Sequence, residues 1–167
     1  HHWTSTGAFY AYEKAVEAFG DNAFDFESFD FETVYDDFHG TACRNGNYFF
    51  LSGEEIQVVK YDGYDKLKVE LGRNLEYMEE KDGMYDLKAL NGADPYNVFL
   101  HGKTRYLRIT DTKDTEKETL LVVKDSFAHS LVPILARNYN IVMVDIDLLI
   151  DPKLGTKIDL ANLVNKT

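Results

Sequence analysis

Residues 119–145 constrain the fold more than any other stretch of this 167-residue chain. An apolar β-branched run is followed at once by a helical pattern and then by a second apolar run. This order predicts a strand, a sharp turn, a helix and a parallel strand, and so an α/β fold. The turn, Lys124-Asp125-Ser126, puts a serine hydroxyl at the carboxyl end of a buried strand. In open α/β sheets ligands bind at that edge, and helix amino termini favour negative charge.

Ser126 has two possible roles in such a turn. As a nucleophile it needs a general base, and the backbone N–H groups of Ser126 and Phe127 are available as donors to an oxyanion. As a structural residue it caps the following helix, which is worth about 1 kcal/mol and is the commoner role of a serine in this position. The Gly-x-Ser-x-Gly elbow of α/β-hydrolases is absent, because Lys124 and Ala128 occupy its glycine positions.

The rest of the chain has the length and pattern of one domain, residues 1–167, with a parallel sheet and flanking helices. Helical spacing predicts a helix over 7–19, and residues 21–38 fit either a strand or an extended loop. A β-rich insertion is expected around 47–110. Its predicted strands are 47–51, 56–61, 67–70, 74–79, 96–100 and 105–109.

Charge and composition exclude several classes of protein. The chain has 18 basic and 29 acidic residues, a net charge of −11, which argues against nucleic acid or an anionic membrane as partner. The single Cys43 rules out an internal disulfide and a cysteine-based metal cluster. The sequence shows neither a membrane-spanning apolar run nor a signal peptide. It lacks an initiating Met and ends in an amphipathic stretch, 160–167, so we interpret it as a piece of a longer protein.

Four histidines could contribute chemistry. His2 precedes the predicted first helix and is either the remnant of a purification tag or a general base that reaches a serine on another loop. His129 follows Ser126 by one turn and is expected to be an ordinary surface or half-buried histidine. His39 and His101 lie beside glycines in loops. A three-histidine metal site stays open, although no metal-binding spacing supports one, and we expect neither a metal ion nor another cofactor.

Four separated blocks resemble the DHHW proteins, a family named for Asp-His-His-Trp. These blocks are His1-His2-Trp3-Thr4 with the following residues 7–12, Phe38-His39-Gly40-Thr41, the run 61–66, and Lys124-Asp125-Ser126-Phe127. DHHW proteins are mostly extracytoplasmic proteins of Gram-positive bacteria. They are similar to the SGNH-like fold of alginate O-acetyltransferases and related polysaccharide acetylation proteins. The resemblance spans nearly the whole chain and disfavours the tag interpretation of His2.

The resemblance implies a set of roles for matching positions. Ser126 is the nucleophile and His2 is the base. The family's glycine and asparagine oxyanion donors have no counterpart here, so the N–H groups of Ser126 and Phe127 in the turn are expected to hold the oxyanion. The family's aspartate, which orients the base, precedes residue 1, and Lys124 replaces the glycine of the usual Gly-Asp-Ser.

These roles lead to the expected function, an extracytoplasmic SGNH-like O-acetyltransferase or acetylesterase. Its partners would be a cell-envelope polysaccharide or oligosaccharide and an acyl donor, and the full-length protein would be a candidate for membrane anchoring. Two alternatives of other classes stay open. One is a non-catalytic glycan-binding or assembly module that retains the fold, and the other is a binding module for a cationic protein, suggested by the net charge of −11.

Overall fold

The structure is a computed structural model that describes residues 2–48, 50–74, 77–114 and 116–145. The predicted amphipathic stretch at 160–167 lies outside these described residues. The α-helices are α1 (Ser5–Phe19), α2 (Thr41–Asn45) and α3 (Val132–Leu135). The strands are β1 (Asp30–Phe38), β2 (Glu54–Lys60), β3 (Leu67–Asn74), β4 (Tyr77–Lys81), β5 (Tyr106–Asp111), β6 (Thr119–Lys124) and β7 (Asn140–Asp145). Short 3₁₀ segments cover Phe26–Ser28, Tyr64–Lys66, Leu87–Asn91, Pro95–Val98 and Ser126–His129.

The chain adopts an α/β fold of sheet and helices, as the sequence predicted. A five-stranded sheet has the order β4-β3-β5-β7-β6, and β1 and β2 form a separate antiparallel pair. The parallel pair predicted from residues 119–145 is present, because β6 runs parallel to β7 with Lys124 opposite Asp145. The remaining neighbours in the five-stranded sheet are antiparallel, so parallel pairing is confined to this edge among the described strands.

The segment predicted as a β-rich insertion contributes to the same sheet as the parallel pair. Its strands β3, β4 and β5 pair with one another, and β5 pairs with β7. Alternating burial fits this arrangement, since Leu107 and Ile109 of β5 have no exposed surface and face the core. The insertion therefore widens the sheet on one side, whereas β2 pairs with β1 outside it.

Three strand predictions within this segment need correction. Residues 96–100 are not a strand, because Pro95–Val98 is a 3₁₀ turn and Leu100 has a φ of 52°, in the left-handed region. Residues 47–51 are not a strand where the structure describes them, since Asn47 has a φ of 54° in a turn after α2. The predicted strand 74–79 instead spans the end of β3 and the start of β4.

Helix α1 brings the start of the chain to the sheet edge. Thr4 caps it by accepting a hydrogen bond from the Gly7 N–H at 3.1 Å, and the helix ends at Gly20, which has a φ of 90°. Its buried face, which includes Phe9, Tyr12 and Val16, packs against α3 and β2. The Ser5 hydroxyl donates to the Gln57 carbonyl of β2, and this contact fixes the segment that carries His2.

The helical region after Ser126 is shorter than its pattern predicted. A 3₁₀ segment covers Ser126–His129, and α3 begins only at Val132. Pro133 explains the break. It has no N–H to donate to the carbonyl four residues earlier, and it is favoured in the first turn of a new helix. The four residues of α3 are all buried. Among the described helices none has the length and apolarity that crossing a bilayer requires.

Candidate active site

The structure brings together the two residues that the family resemblance singled out. His2 Nε2 lies 2.9 Å from Ser126 Oγ, although 124 positions separate them in the sequence. His2 stands just before α1, and Ser126 follows β6 at the carboxyl end of the parallel pair. Both side chains are half-buried. The distance is that of a hydrogen bond, in which the serine hydroxyl donates when Nε2 carries no proton.

The turn at Ser126 is capped by Asp125 and not by Ser126 itself. Asp125 is the N-cap of the 3₁₀ segment, and its Oδ1 accepts a hydrogen bond from the Phe127 N–H at 2.9 Å. The capping role weighed for Ser126 is therefore wrong, because the preceding aspartate performs it. As a result the Ser126 hydroxyl faces His2. The same bond occupies the Phe127 N–H, one of the two predicted oxyanion donors.

The His2 ring lies between two aromatic side chains. It stacks on Tyr96 with ring centroids 4.2 Å apart and an interplanar angle of 12°. In the second contact, the Phe127 ring is tilted by 58° relative to the imidazole, and the two ring centroids are 5.3 Å apart. Tyr96 comes from the 3₁₀ turn Pro95–Val98. The sequence analysis did not identify this residue, and no periodic signal links position 96 to position 2.

Partial burial lowers the pKa of His2 below its usual value of 6.5, and nearby Asp94 and Asp125 partly oppose that shift. A lowered pKa keeps the imidazole neutral near pH 7. A neutral imidazole is the form that can accept the serine proton.

A second polar group, the buried cluster of Lys124, His129 and Asp145, lies directly behind Ser126. Lys124 Nζ forms an ion pair with Asp145 and donates to His129 Nε2 at 2.7 Å. His129 is 3% exposed, so the prediction of a surface or half-buried histidine is wrong. Burial, reinforced by the Lys124 charge, lowers the pKa of His129 to about 4. Because it stays neutral and binds an ammonium, His129 is unsuited to act as the base for Ser126.

The remaining predicted histidines have structural contacts away from Ser126. His39 Nε2 donates to the Leu51 carbonyl at 2.9 Å, and His101 Nε2 donates to the Gly83 carbonyl at 3.0 Å. Within the part of the chain that the structure describes, no three His, Cys, Asp or Glu side chains are placed to hold a metal ion.

Two clefts border the His2–Ser126 pair. The first, about 220 Å³, is lined by His2, Tyr96 and polar residues of β2 that include Glu54 and Gln57. The second, about 410 Å³, is more apolar and is lined by Trp3, Val123, Phe127 and Leu131 among others. Trp3 borders both clefts and is 42% exposed. His2 lines the first cleft, and Asp125 and Phe127, the neighbours of Ser126, line the second.

Comparison with known proteins identifies a family and similar folds. The sequence profile of the family described as DHHW protein matches residues 1–145. A crystal structure of a DHHW family protein from Eubacterium siraeum superposes with a TM-score of 0.66 at 17% identity, over 87% of this chain and 49% of that one. A comparison with curated protein sequences gives no significant match.

PatB1 of Bacillus cereus has a similar fold. Its structure with a sulfonyl adduct gives a TM-score of 0.67 at 19% identity, over 88% of this chain and 50% of PatB1. A second PatB1 structure gives 0.60 at 19% identity, over 88% of this chain and 52% of PatB1. The present chain therefore spans about half the length of these solved structures.

Proposed function

This chain belongs to the DHHW family, and on that premise we propose that it carries the serine–histidine pair of an SGNH-like O-acetyltransferase or acetylesterase. The observation that carries the proposal is the 2.9 Å contact between His2 Nε2 and Ser126 Oγ beside two clefts. The sulfonyl adduct of the similarly folded PatB1 supports it, because sulfonyl groups react covalently with activated nucleophiles.

In the proposed first step the Ser126 oxygen attacks the carbonyl carbon of an acetyl ester while His2 Nε2 takes the hydroxyl proton. The Ser126 N–H, at the start of the 3₁₀ segment, holds the oxyanion. The Phe127 N–H joins it once the exposed Asp125 carboxylate, its present partner, moves aside. The ester bond then breaks, and the leaving alcohol takes the proton from His2, which leaves acetyl-Ser126.

In the second step His2 removes a proton from the acceptor, whose oxygen attacks the acetyl carbonyl. A sugar hydroxyl gives a new acetyl ester, and water gives acetate; in both cases the Ser126 oxygen regains its proton from His2. Competition between sugar and water at the clefts decides between transferase and esterase. General base catalysis of this kind contributes about 10²–10⁴ in rate, which is the effect that the His2 side chain would supply.

The proposed substrate is a cell-envelope polysaccharide or oligosaccharide together with an acyl donor, outside the cytoplasm. Family resemblance is the main support for this substrate and location. The surface gives a second argument, because Trp3 and Phe127 flank the pair and are 42% and 37% exposed. Flat aromatic faces of this kind suit the apolar face of a sugar ring, and polar residues such as Gln57 in the first cleft suit its hydroxyls.

The test compares Ser126→Ala with the natural protein in full, because this chain spans about half of its structural neighbours. Hydrolysis of an aryl acetate and acetyl transfer to oligosaccharide are both measured. Ser126→Ala should lower both by at least about 10³-fold, since the nucleophile is lost. A matched control is Ser28→Ala, which removes an exposed hydroxyl bonded only locally, to the Asp25 carbonyl.

Two results would count against the proposal. If Ser126→Ala turns over the substrate at the wild-type rate, this serine is not the nucleophile. Oligosaccharide binding without turnover at any pH, unchanged by Ser126→Ala, supports the glycan-binding module instead.

A further inference from the structure

We infer that Tyr96 is a positioning residue for His2, whose aromatic face holds the imidazole against Ser126 and stabilises it when it is protonated. The inference rests on the proposed function of the Ser126–His2 pair. It assigns a role in the reaction to the segment Pro95–Val98, which lies in the β-rich part of the chain, far in sequence from both residues.

The ring contact has the geometry that this role requires. The two rings are nearly parallel, at 12°, with centroids 4.2 Å apart, so the imidazole lies over the face of the phenol ring. Rotation of His2 about its side chain is limited on this side by Tyr96 and on another by Phe127. The imidazole can therefore keep Nε2 directed at Ser126, and a displacement of about 1 Å in such a site can cost about 10²-fold in rate.

Tyr96 is itself held firmly. It is 7% exposed and lies within an aromatic group that contains Phe38, Phe99 and His129, with ring centroids 6.1, 5.0 and 6.3 Å from its own. A side chain packed on several sides has little rotamer freedom. The same ring thus stacks with both histidines, His2 at the first cleft and the buried His129.

The aromatic face, and not the hydroxyl, carries the effect. Burial raises the pKa of Tyr96 to about 12, so the phenol stays neutral through the working range of an esterase. Ser130 lies next to that hydroxyl, but among the described residues neither hydroxyl has a hydrogen-bond partner of ordinary geometry. Phenylalanine at position 96 would therefore keep the aromatic face that contacts His2.

The benefit is largest when His2 is charged. After the imidazole takes the serine proton, it is a cation within 6 Å of the Tyr96 ring centroid. The negative face of an aromatic ring attracts a cation at this distance. The expected effect of that attraction alone is about two- to fivefold in kcat. Positioning adds to it, because the ring also restrains the neutral imidazole before proton transfer.

The first experiment measures kcat and KM for an aryl acetate with Tyr96→Phe, Tyr96→Leu and the control Phe29→Leu in the full natural protein. Phe29 is a buried aromatic whose ring contacts are with Phe9, Tyr12 and Tyr61, away from His2. We expect Tyr96→Leu to lower kcat about 10- to 100-fold with KM within twofold. Tyr96→Phe should stay within threefold of wild type, and Phe29→Leu should leave kcat within threefold.

The second experiment replaces residue 96 with phenylalanines that carry increasing numbers of ring fluorines, which weaken the negative ring face at nearly constant shape. A stepwise fall in kcat, two- to fivefold in total, supports stabilisation of the His2 cation. A merely structural ring would give no trend. This series also tests the inference if Tyr96→Leu fails to fold.

The outcomes separate the inference from the function on which it rests. Loss of turnover in Ser126→Ala, together with equal kcat values for Tyr96→Leu and Phe29→Leu and no fluorine trend, overturns the inference and leaves the proposed function intact. Wild-type turnover in Ser126→Ala overturns both.

Discussion

Two histidines lie near Ser126, one in space and one in sequence, and their environments differ. His2, which is 124 positions from Ser126 in the sequence, is half-buried at the first cleft and contacts the serine oxygen. His129, three residues beyond Ser126, is buried and binds the Lys124 ammonium. The comparison shows that closeness in sequence does not decide which histidine contacts the serine oxygen. In the proposed mechanism, access to that oxygen and the charge state of the ring favour His2 as the base.

The two imidazole rings differ most in how readily each can gain a proton. The Lys124 charge and burial disfavour protonation of His129, whose pKa falls to about 4. Carboxylates oppose the lowering of the pKa in both rings, Asp94 and Asp125 at His2 and Asp145 and Asp125 at His129, but only His129 also has the Lys124 charge beside it. His2 can therefore gain and lose a proton during a reaction, whereas His129 serves as a fixed acceptor inside the fold.

The largest expected contrast comes from changing each histidine to glutamine. His2→Gln should lower kcat for an aryl acetate by about 10²–10⁴, because the general base is lost. His129→Gln should stay within about tenfold, since a glutamine oxygen can still accept from Lys124. Steady-state kinetics of both variants measure the contrast, and a greater loss in His129→Gln than in His2→Gln would reverse the assignment.

The buried cluster should affect stability more than activity. Lys124→Met removes the ammonium that pairs with the Asp145 carboxylate, and it should lower the free energy of unfolding by about 3–5 kcal/mol. The double variant Lys124→Met with Asp145→Asn should recover part of that loss, because the carboxylate charge is also removed. Urea unfolding measures both. A loss below about 1 kcal/mol in the single variant would show that the pair has no such role.

Acid should destabilise the protein through His129. Its pKa is lowered from 6.5 to about 4 in the fold, so the unfolded chain binds more protons between those values. This contribution to stability is complete above pH 6.5 and is lost as the pH falls towards 4. The loss is on the order of 2 kcal/mol between pH 7 and pH 5. His129→Gln should remove this part of the pH dependence in urea unfolding, and an identical slope in both proteins would contradict it.

The smallest effect is expected at the cap that holds the His2 segment. Thr4→Ala removes the oxygen that accepts the Gly7 N–H and should lower the free energy of unfolding by about 0.5–2 kcal/mol. Because His2 lies two residues before the cap, kcat should fall more than KM rises. Thermal unfolding and kinetics of this one variant show whether the two losses occur together.

Local signals made part of the fold predictable. Strands β6 and β7 were predictable from their apolar runs, and α1 was predictable from the helical spacing of its apolar residues. The strand predicted at 96–100 failed because Leu100 is buried yet has a positive φ, and apolarity alone does not report backbone conformation. Serine and aspartate both cap helices, so the sequence alone does not decide between Ser126 and Asp125; in the structure Asp125 caps the turn and the Ser126 hydroxyl contacts His2.

The candidate site was predictable only where a motif carried the information. His2 and Ser126 were identified through their family-like sequence blocks, and their contact spans 124 positions. Tyr96 belongs to no such block, and its stacking on His2 is a contact between residues 94 positions apart that no local pattern reports. The burial of His129 was missed because its partner Lys124, a residue usually exposed, is itself 4% exposed.

The most direct test of the account is covalent labelling of the natural protein with a sulfonyl fluoride, followed by peptide mapping. The Ser126 oxygen should form a bond to sulfur as fluoride leaves, with His2 taking the proton. We predict one adduct at Ser126, a rate that rises with pH as His2 loses its proton, and a loss of about 100-fold or more in His2→Gln. Labelling at another residue, or equal labelling of Ser126 in His2→Gln, would contradict the claim that His2 activates Ser126.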